Sequence, residues 1–76
     1  MDNISETVAL LRRQAELERQ LMNGDDVGVM TERELEMTRL RLAAHPQAVN
    51  AVLQTARALR RTPDSITRRD VTDWAG

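Results

Sequence analysis

The chain offers few side chains that could perform covalent or acid–base chemistry. It contains no Cys and no Tyr, and all 11 basic residues are Arg. The one histidine, His45, could act as a base toward a Ser or Thr hydroxyl, but its place before Pro46 is typical of a helix C-cap or a solvated turn. Ser5 and Ser65 lie at predicted helix edges, without the Gly-x-Ser-x-Gly setting of a hydrolase nucleophile. The sequence therefore predicts that the protein is not an enzyme.

The carboxylates do not form a recognisable metal-site motif either. Asp25 and Asp26 lack the alternating acids and the final Glu of an EF-hand loop, which makes a solvated turn the simpler interpretation. Glu32 and Glu36 are not accompanied by the Glu-x-x-His motif of a di-metal bundle site, and acids early in a helix interact favourably with its dipole. A zinc site needs more ligands than one histidine supplies. We expect no cofactor.

A cluster of arginines is the feature best suited to binding an anion. Its members fall between residues 57 and 69: Arg57, Arg60, Arg61, Arg68 and Arg69. Guanidinium groups bind carboxylates and phosphates bidentately, so the cluster predicts contact with an acidic protein partner or with nucleic acid. A solvated basic face is the third interpretation, because Arg near a helix C-terminus complements the dipole. The net charge of −1 disfavours nucleic acid, since nucleic-acid modules are usually basic.

The small net charge hides an asymmetry between the two halves of the chain. Residues 1–36 carry nine acids and four Arg, which gives −5, and residues 37–76 carry seven Arg and three Asp, which gives +4. Such halves can pair within one chain, with a second copy or with a charged partner. No apolar run approaches the ~20 residues of a membrane span, and no secretory signal is recognisable at the N-terminus. We therefore expect a cytoplasmic protein, and the exclusive use of Arg is typical of a GC-rich bacterial genome.

Helix boundaries are indicated by a capping pattern that occurs twice, at residues 30–35 and 66–71. In each copy a Thr stands before two polar residues and an acid, with apolar residues on both sides. The acid can accept a hydrogen bond from the Thr backbone N–H, and Glu34 should do so better than the shorter Asp70. Gly24 and Pro46 predict two further boundaries. The predicted helices span about residues 5–22, 31–44, 47–61 and 67–74.

Two of these helices have apolar residues on two sides. In the first helix, a stripe that includes Ile4 and Val8 lies about 120° from a second stripe, and in the second helix Leu35 and Leu42 lie roughly opposite Met37. A chain of this size buries only about 60% of its unfolded surface, so a second subunit or a protein partner would add burial. The predicted interface comprises Leu10, Leu17, Leu21, Met37 and Leu40. The alternative is that both stripes are partly covered within one monomer.

These observations predict an all-α protein, a small antiparallel helical bundle of three main helices plus a short C-terminal helix, forming a single domain over residues 1–76. The predicted function is that of a non-enzymatic protein–protein interaction module, such as a small bacterial accessory factor, regulator or chaperone. It would form a homodimer or bind a helix of another protein. The alternative is a nucleic-acid-binding regulator that uses the arginines of residues 57–69.

Overall fold

The computed structural model describes residues 3–24 and 28–75, and the regular structure within these two ranges is entirely helical. The predicted all-α class is therefore confirmed. The helical segments are α1 (Asn3–Met22), α2 (Gly28–Ala43), α3 (Pro46–Leu59), a short 3-10 helix (Pro63–Ser65) and α4 (Arg68–Ala75).

The first two helices differ in how well their boundaries were predicted. Gly24 has the positive φ of 70° expected of a helix-terminating glycine, and the N–H of Asn23 donates to the carbonyl of Arg19 at 3.0 Å. By contrast, α2 begins at Gly28, three residues before the predicted start, and Thr31 lies buried inside the helix. The prediction that Thr31 caps α2 is wrong. The Asp25–Asp26 pair, which is predicted to form a solvated turn, lies outside the described residues.

A tight corner joins α2 to α3, as Pro46 predicts. The N–H of His45 donates to the carbonyl of Leu42 at 3.0 Å, and Pro46 occupies the first turn of α3. His45 Nε2 lies 3.1 Å from Glu6 Oε2, so the corner is also tied to the start of α1. This contact gives the histidine a structural partner on another helix.

The end of α3 falls two residues earlier than predicted. Arg60 adopts a left-handed conformation with φ 55°, which glycine more commonly occupies, and the N–H of Arg61 donates to the carbonyl of Ala56 at 2.9 Å. The reversal directs the chain back toward α1. The following segment then places Ile66, whose side chain is fully buried, in the core.

The second capping pattern forms as predicted, although it uses the shorter acid. The Thr67 N–H donates to Asp70 Oδ2 at 2.9 Å, and the Asp70 N–H donates to Thr67 Oγ1 at 3.1 Å. Arg61 Nη1 also donates to Asp70 Oδ2 at 3.1 Å. These contacts lower the pKa of Asp70, chiefly through the backbone hydrogen bond from Thr67. Glu34 was expected to accept a hydrogen bond from its Thr backbone N–H better than Asp70 does. This expectation is wrong, because the Glu34 carboxylate instead accepts hydrogen bonds from Arg13.

Helix α1 contacts every other helical segment. One side of it, including Ile4 and Leu11, packs on a core formed by α1, α3, Ile66 and α4. The buried residues of this core are Val8, Val52, Ala56, Ile66 and Val71. A second buried set lies along the α1–α2 pair and contains Leu17, Leu35 and Leu42. Burial of these apolar side chains at roughly 1.5–3 kcal/mol each is the main stabilising contribution.

The hydrogen bonds of Asp70 should make the stability of the fold depend on pH. Because the folded-state pKa lies below the unfolded value near 3.8, Asp70 stabilises the fold above that pH, and the contribution is lost as pH falls through the folded-state pKa. Asp70→Asn should therefore lower the thermal midpoint at pH 7, and the difference from the native protein should shrink toward pH 2.

The matched control is Asp73→Asn, which makes the same charge change on the same helix at a 70% exposed side chain. Thermal unfolding of the three proteins from pH 7 to pH 2 provides the comparison. If Asp70→Asn lowered the thermal midpoint equally at pH 7 and pH 2, ionised Asp70 would not be stabilising the start of α4.

Candidate interaction surface

Helix α2 has one buried side and one exposed apolar side. At roughly 100° per residue, its buried positions fall on a single stripe: Thr31, Leu35, Thr38 and Leu42. About 180° away lies a stripe that we call the outer face, composed of Val29, Met30, Arg33, Met37 and Leu40 of α2 and Ala44, the first residue after the helix. Its large apolar members are well exposed, with exposed fractions of 80% for Met30, 48% for Met37 and 61% for Leu40. An exposed stripe that is rich in large apolar side chains is typical of an interface.

A cleft of about 510 Å³ lies beside the outer face, between α1 and α2. Leu10 of α1 and Met30 and Met37 of α2 contribute its apolar wall. Arg13, Glu34 and Arg41 also line it. The cleft and the outer face therefore share two methionines, whose flexible thioether side chains adapt readily to a partner surface.

An ion pair fixes one edge of this region. Arg13 donates to Glu34 Oε1 through Nε at 2.9 Å and through Nη2 at 2.7 Å, and its Nη1 lies 3.2 Å from Glu16 Oε2. The hydrogen bonds to Glu34 raise the pKa of Arg13 above its ordinary value. This pairing connects α1 directly to α2 and holds the Glu34 carboxylate in a defined orientation.

Other charges around α2 have no ion-pair partner within residues 3–24 and 28–75. They include two cations, Arg33 and Arg41, and two acids, Glu32 and Glu36. By contrast, Arg39 Nη2 lies 3.6 Å from Glu18 Oε1, so it bridges α2 to α1. Arg33 lies on the outer face itself and the other three charges border it, where charged groups of another molecule could pair with them.

The structure divides the five residues predicted to form the interface. Met37 and Leu40 are exposed on α2, whereas Leu17 is only 1% exposed and belongs to the α1–α2 core. Leu10 and Leu21 are half-buried, and Leu10 lines the cleft. The second stripe of α1 is thus largely covered inside the monomer, as the alternative interpretation expected.

Sequence reasoning missed Val29 and Met30. The capping pattern placed the start of α2 at Thr31, which left both residues outside the predicted helix. Their spacing was informative nonetheless, because Met30 precedes Met37 by one heptad and so continues the same stripe when the helix begins earlier.

The predicted arginine cluster is divided between internal contacts and exposed groups. Arg61 bonds to Asp70 and to the carbonyl of Ser65, and Arg69 Nε lies 3.7 Å from Asp73 Oδ2. Arg57 and Arg60 are exposed and have no ion-pair partner among the described residues. Arg68 is exposed at the start of α4. The surface therefore keeps a basic character at the end of α3, while Arg61 also links the turn to α4.

The described part of the chain contains no group of three or more His, Cys, Asp or Glu side chains placed to hold a metal ion. Within the same residues, no helix has the length and apolar character needed to cross a membrane.

Comparisons with known proteins supply no relative for this chain. It matches no known protein family, and it has no significant match among curated proteins or solved structures.

The burial of Leu17 generates a prediction that separates core from surface. Leu17→Ala should reduce the free energy of unfolding by about 2–5 kcal/mol, because it leaves a cavity between packed helices. Leu40→Ala removes the same atoms from an exposed site and should change it by no more than about 0.5 kcal/mol. Urea unfolding followed by circular dichroism measures both, and equal losses would contradict the placement of Leu17.

Proposed function

We propose that this protein is a non-enzymatic helical protein–protein interaction module whose contact surface is the outer face of α2. Its role would be that of a small bacterial accessory factor, regulator or chaperone. The observation that carries the proposal is the exposure of Met30, Met37 and Leu40 on a stripe opposite the buried side of the same helix. The partner would be a second copy of the chain or a helix of another protein.

The energetics of a small helical domain support this proposal. The core rests on a few Val, Leu, Ile and Ala side chains, without disulfide bonds or large aromatic residues. Each apolar outer-face residue that a partner covers would contribute part of the roughly 25 cal/mol per Å² of buried apolar area. Association would therefore stabilise the fold as well as bind the partner.

The arrangement of α1 and α2 supports the use of this face as a platform. The two helices pack on each other, and residues 23–27 connect them, so we infer an antiparallel pairing. With α3 added, this would complete the antiparallel bundle. The Arg13–Glu34 and Arg39–Glu18 contacts link the helices on their polar edges. Because these contacts already hold α2 on α1, the outer face would lose little conformational freedom on binding.

A charge introduced on the outer face should test the proposal without unfolding the monomer. Met37→Glu should weaken association roughly tenfold or more, because contact would bury an unpaired carboxylate. The helical signal in circular dichroism should stay unchanged, since the Met37 side chain is half exposed. Sedimentation and partner capture provide the measurement.

The matched control is Met22→Glu, which places the same charge at an 87% exposed methionine near the end of α1. It should leave association intact. If both variants associate like the native protein, the outer face is not the contact surface.

Nucleic-acid binding is the second candidate function, and the exposure of Arg57 and Arg60 without ion-pair partners among the described residues favours it. A combined Arg57→Ala and Arg60→Ala change should then weaken binding to short duplex DNA and reduce the salt slope of log affinity by about two. Arg33→Ala, at an unpaired arginine on α2, is the control and should have no effect. Titration of labelled DNA at several salt concentrations is the measurement, and an unaltered slope in the double variant would exclude this patch.

A further inference from the structure

We propose that the partner of the outer face is the same face of a second copy, with the two α2 helices antiparallel about a two-fold axis level with residues 38–39. This inference rests on the proposed interaction function and names its partner. It follows from the order of charges along α2, from the spacing of the outer-face residues and from the Glu34 oxygen Oε2, to which Arg13 does not bond.

The charges of α2 change sign along the helix. Residues 28–38 carry Glu32, Arg33, Glu34 and Glu36, with a net charge of −2, whereas residues 39–43 carry Arg39 and Arg41, with +2. Antiparallel pairing places each acidic part opposite a basic part, and this happens twice because the interface is isologous. Parallel pairing would place like charges together. The helix is thus electrostatically complementary to itself in one orientation only.

The spacing of the outer face fits the same orientation. Residues 30, 33, 37, 40 and 44 follow the alternating three- and four-residue steps of a helix–helix seam. With the axis level with residues 38–39, Met37 packs on the partner's Leu40, and Arg33 lies over the partner's Ala44. The small Ala44 side chain leaves room for the aliphatic stem of Arg33. Parallel pairing would bring two Arg33 side chains together at the centre of the seam.

One carboxylate oxygen of Glu34 can pair with a cation from a second copy. Both hydrogen bonds from Arg13 go to Oε1, and Oε2 has no partner among the described residues. In the antiparallel register Oε2 faces the partner's Arg41, which also has no ion-pair partner within the described part of its own chain. The contact forms twice, once on each side of the axis. Because Arg13 already orients the carboxylate, little further ordering is needed.

The size of the seam sets the expected strength of the dimer. Four outer-face residues of each copy, Arg33, Met37, Leu40 and Ala44, face one another across it, with the Glu34 and Arg41 side chains at its edges, whereas standard interfaces use about 20–30 residues a side. We therefore expect a dimer that dissociates on dilution and forms at high protein concentration.

The absence of native cysteine permits a direct test of the register. Single variants Met37→Cys and Met30→Cys are treated with a short bismaleimide crosslinker at high protein concentration. Two copies of residue 37 lie close to the axis, so Met37→Cys should give a covalent dimer. Two copies of residue 30 lie about 25 Å apart along the antiparallel helices, so Met30→Cys should give little. Circular dichroism checks that both variants fold.

A charge reversal in the Met37→Cys background tests the Glu34–Arg41 contact. Adding Arg41→Glu should reduce the crosslinked fraction severalfold, because it places two carboxylates together. Arg57→Glu makes the same change at an exposed arginine of α3, outside the proposed interface, and should leave the fraction unaltered.

Three results would overturn the inference. Efficient crosslinking at both positions would indicate parallel pairing. Equal losses of the crosslinked fraction with Arg41→Glu and Arg57→Glu would show that the proposed Glu34–Arg41 contact does not form. A native protein that stays monomeric at high concentration, with crosslinking at neither position, would exclude a second copy as the partner. If Met37→Glu still abolished binding to another protein in that case, the proposed interaction function would stand and only the identity of the partner would change.

Discussion

Helix α1 must be covered on two sides, and the rest of the structure depends on this constraint. One side supplies Val8 to the core shared with α3 and α4, and the other supplies Leu17 to the contact with α2. A helix with two apolar stripes cannot be satisfied by one neighbour, because each neighbour covers only one side of the cylinder. The position of α1 between α2 on one side and α3 with α4 on the other follows from this requirement.

The central position of α1 leaves α2 at the edge of the fold. Its Leu35 and Leu42 side is buried, whereas the opposite side, with Met37 and Leu40, is left exposed by the other helices of residues 3–24 and 28–75. Polar contacts between α1 and α2 lie along one edge of this surface. Both hydrogen bonds from Arg13 go to one oxygen of Glu34, so Glu34 helps to build the monomer while its second oxygen is the one that the proposed dimer uses. A charged, half-satisfied edge beside an apolar stripe favours selective contact over unspecific aggregation.

At the other end of the fold, local hydrogen bonds close the core. The reciprocal contacts of Thr67 and Asp70 start α4, and Arg61 joins the turn to that start. These contacts hold Ile66 and Val71 against α1 and α3. The residues of the arginine cluster are therefore placed differently: Arg61 contributes to the structure, whereas Arg57 and Arg60 are exposed. Sequence composition could not separate these roles, because the same guanidinium group serves both.

Local signals in the sequence determined the helices and most of their ends. Gly24, Pro46 and the Thr67–Asp70 pair act within a few residues of themselves, so their effects could be predicted without knowledge of the fold. The second stripe of α1 could not be assigned in this way, nor could the true start of α2. Helical periodicity tells which residues share a face, but it does not tell which neighbouring helix covers that face. Only the tertiary structure decided that Leu17 is buried while Met37 and Leu40 stay exposed, because burial depends on where the other helices lie.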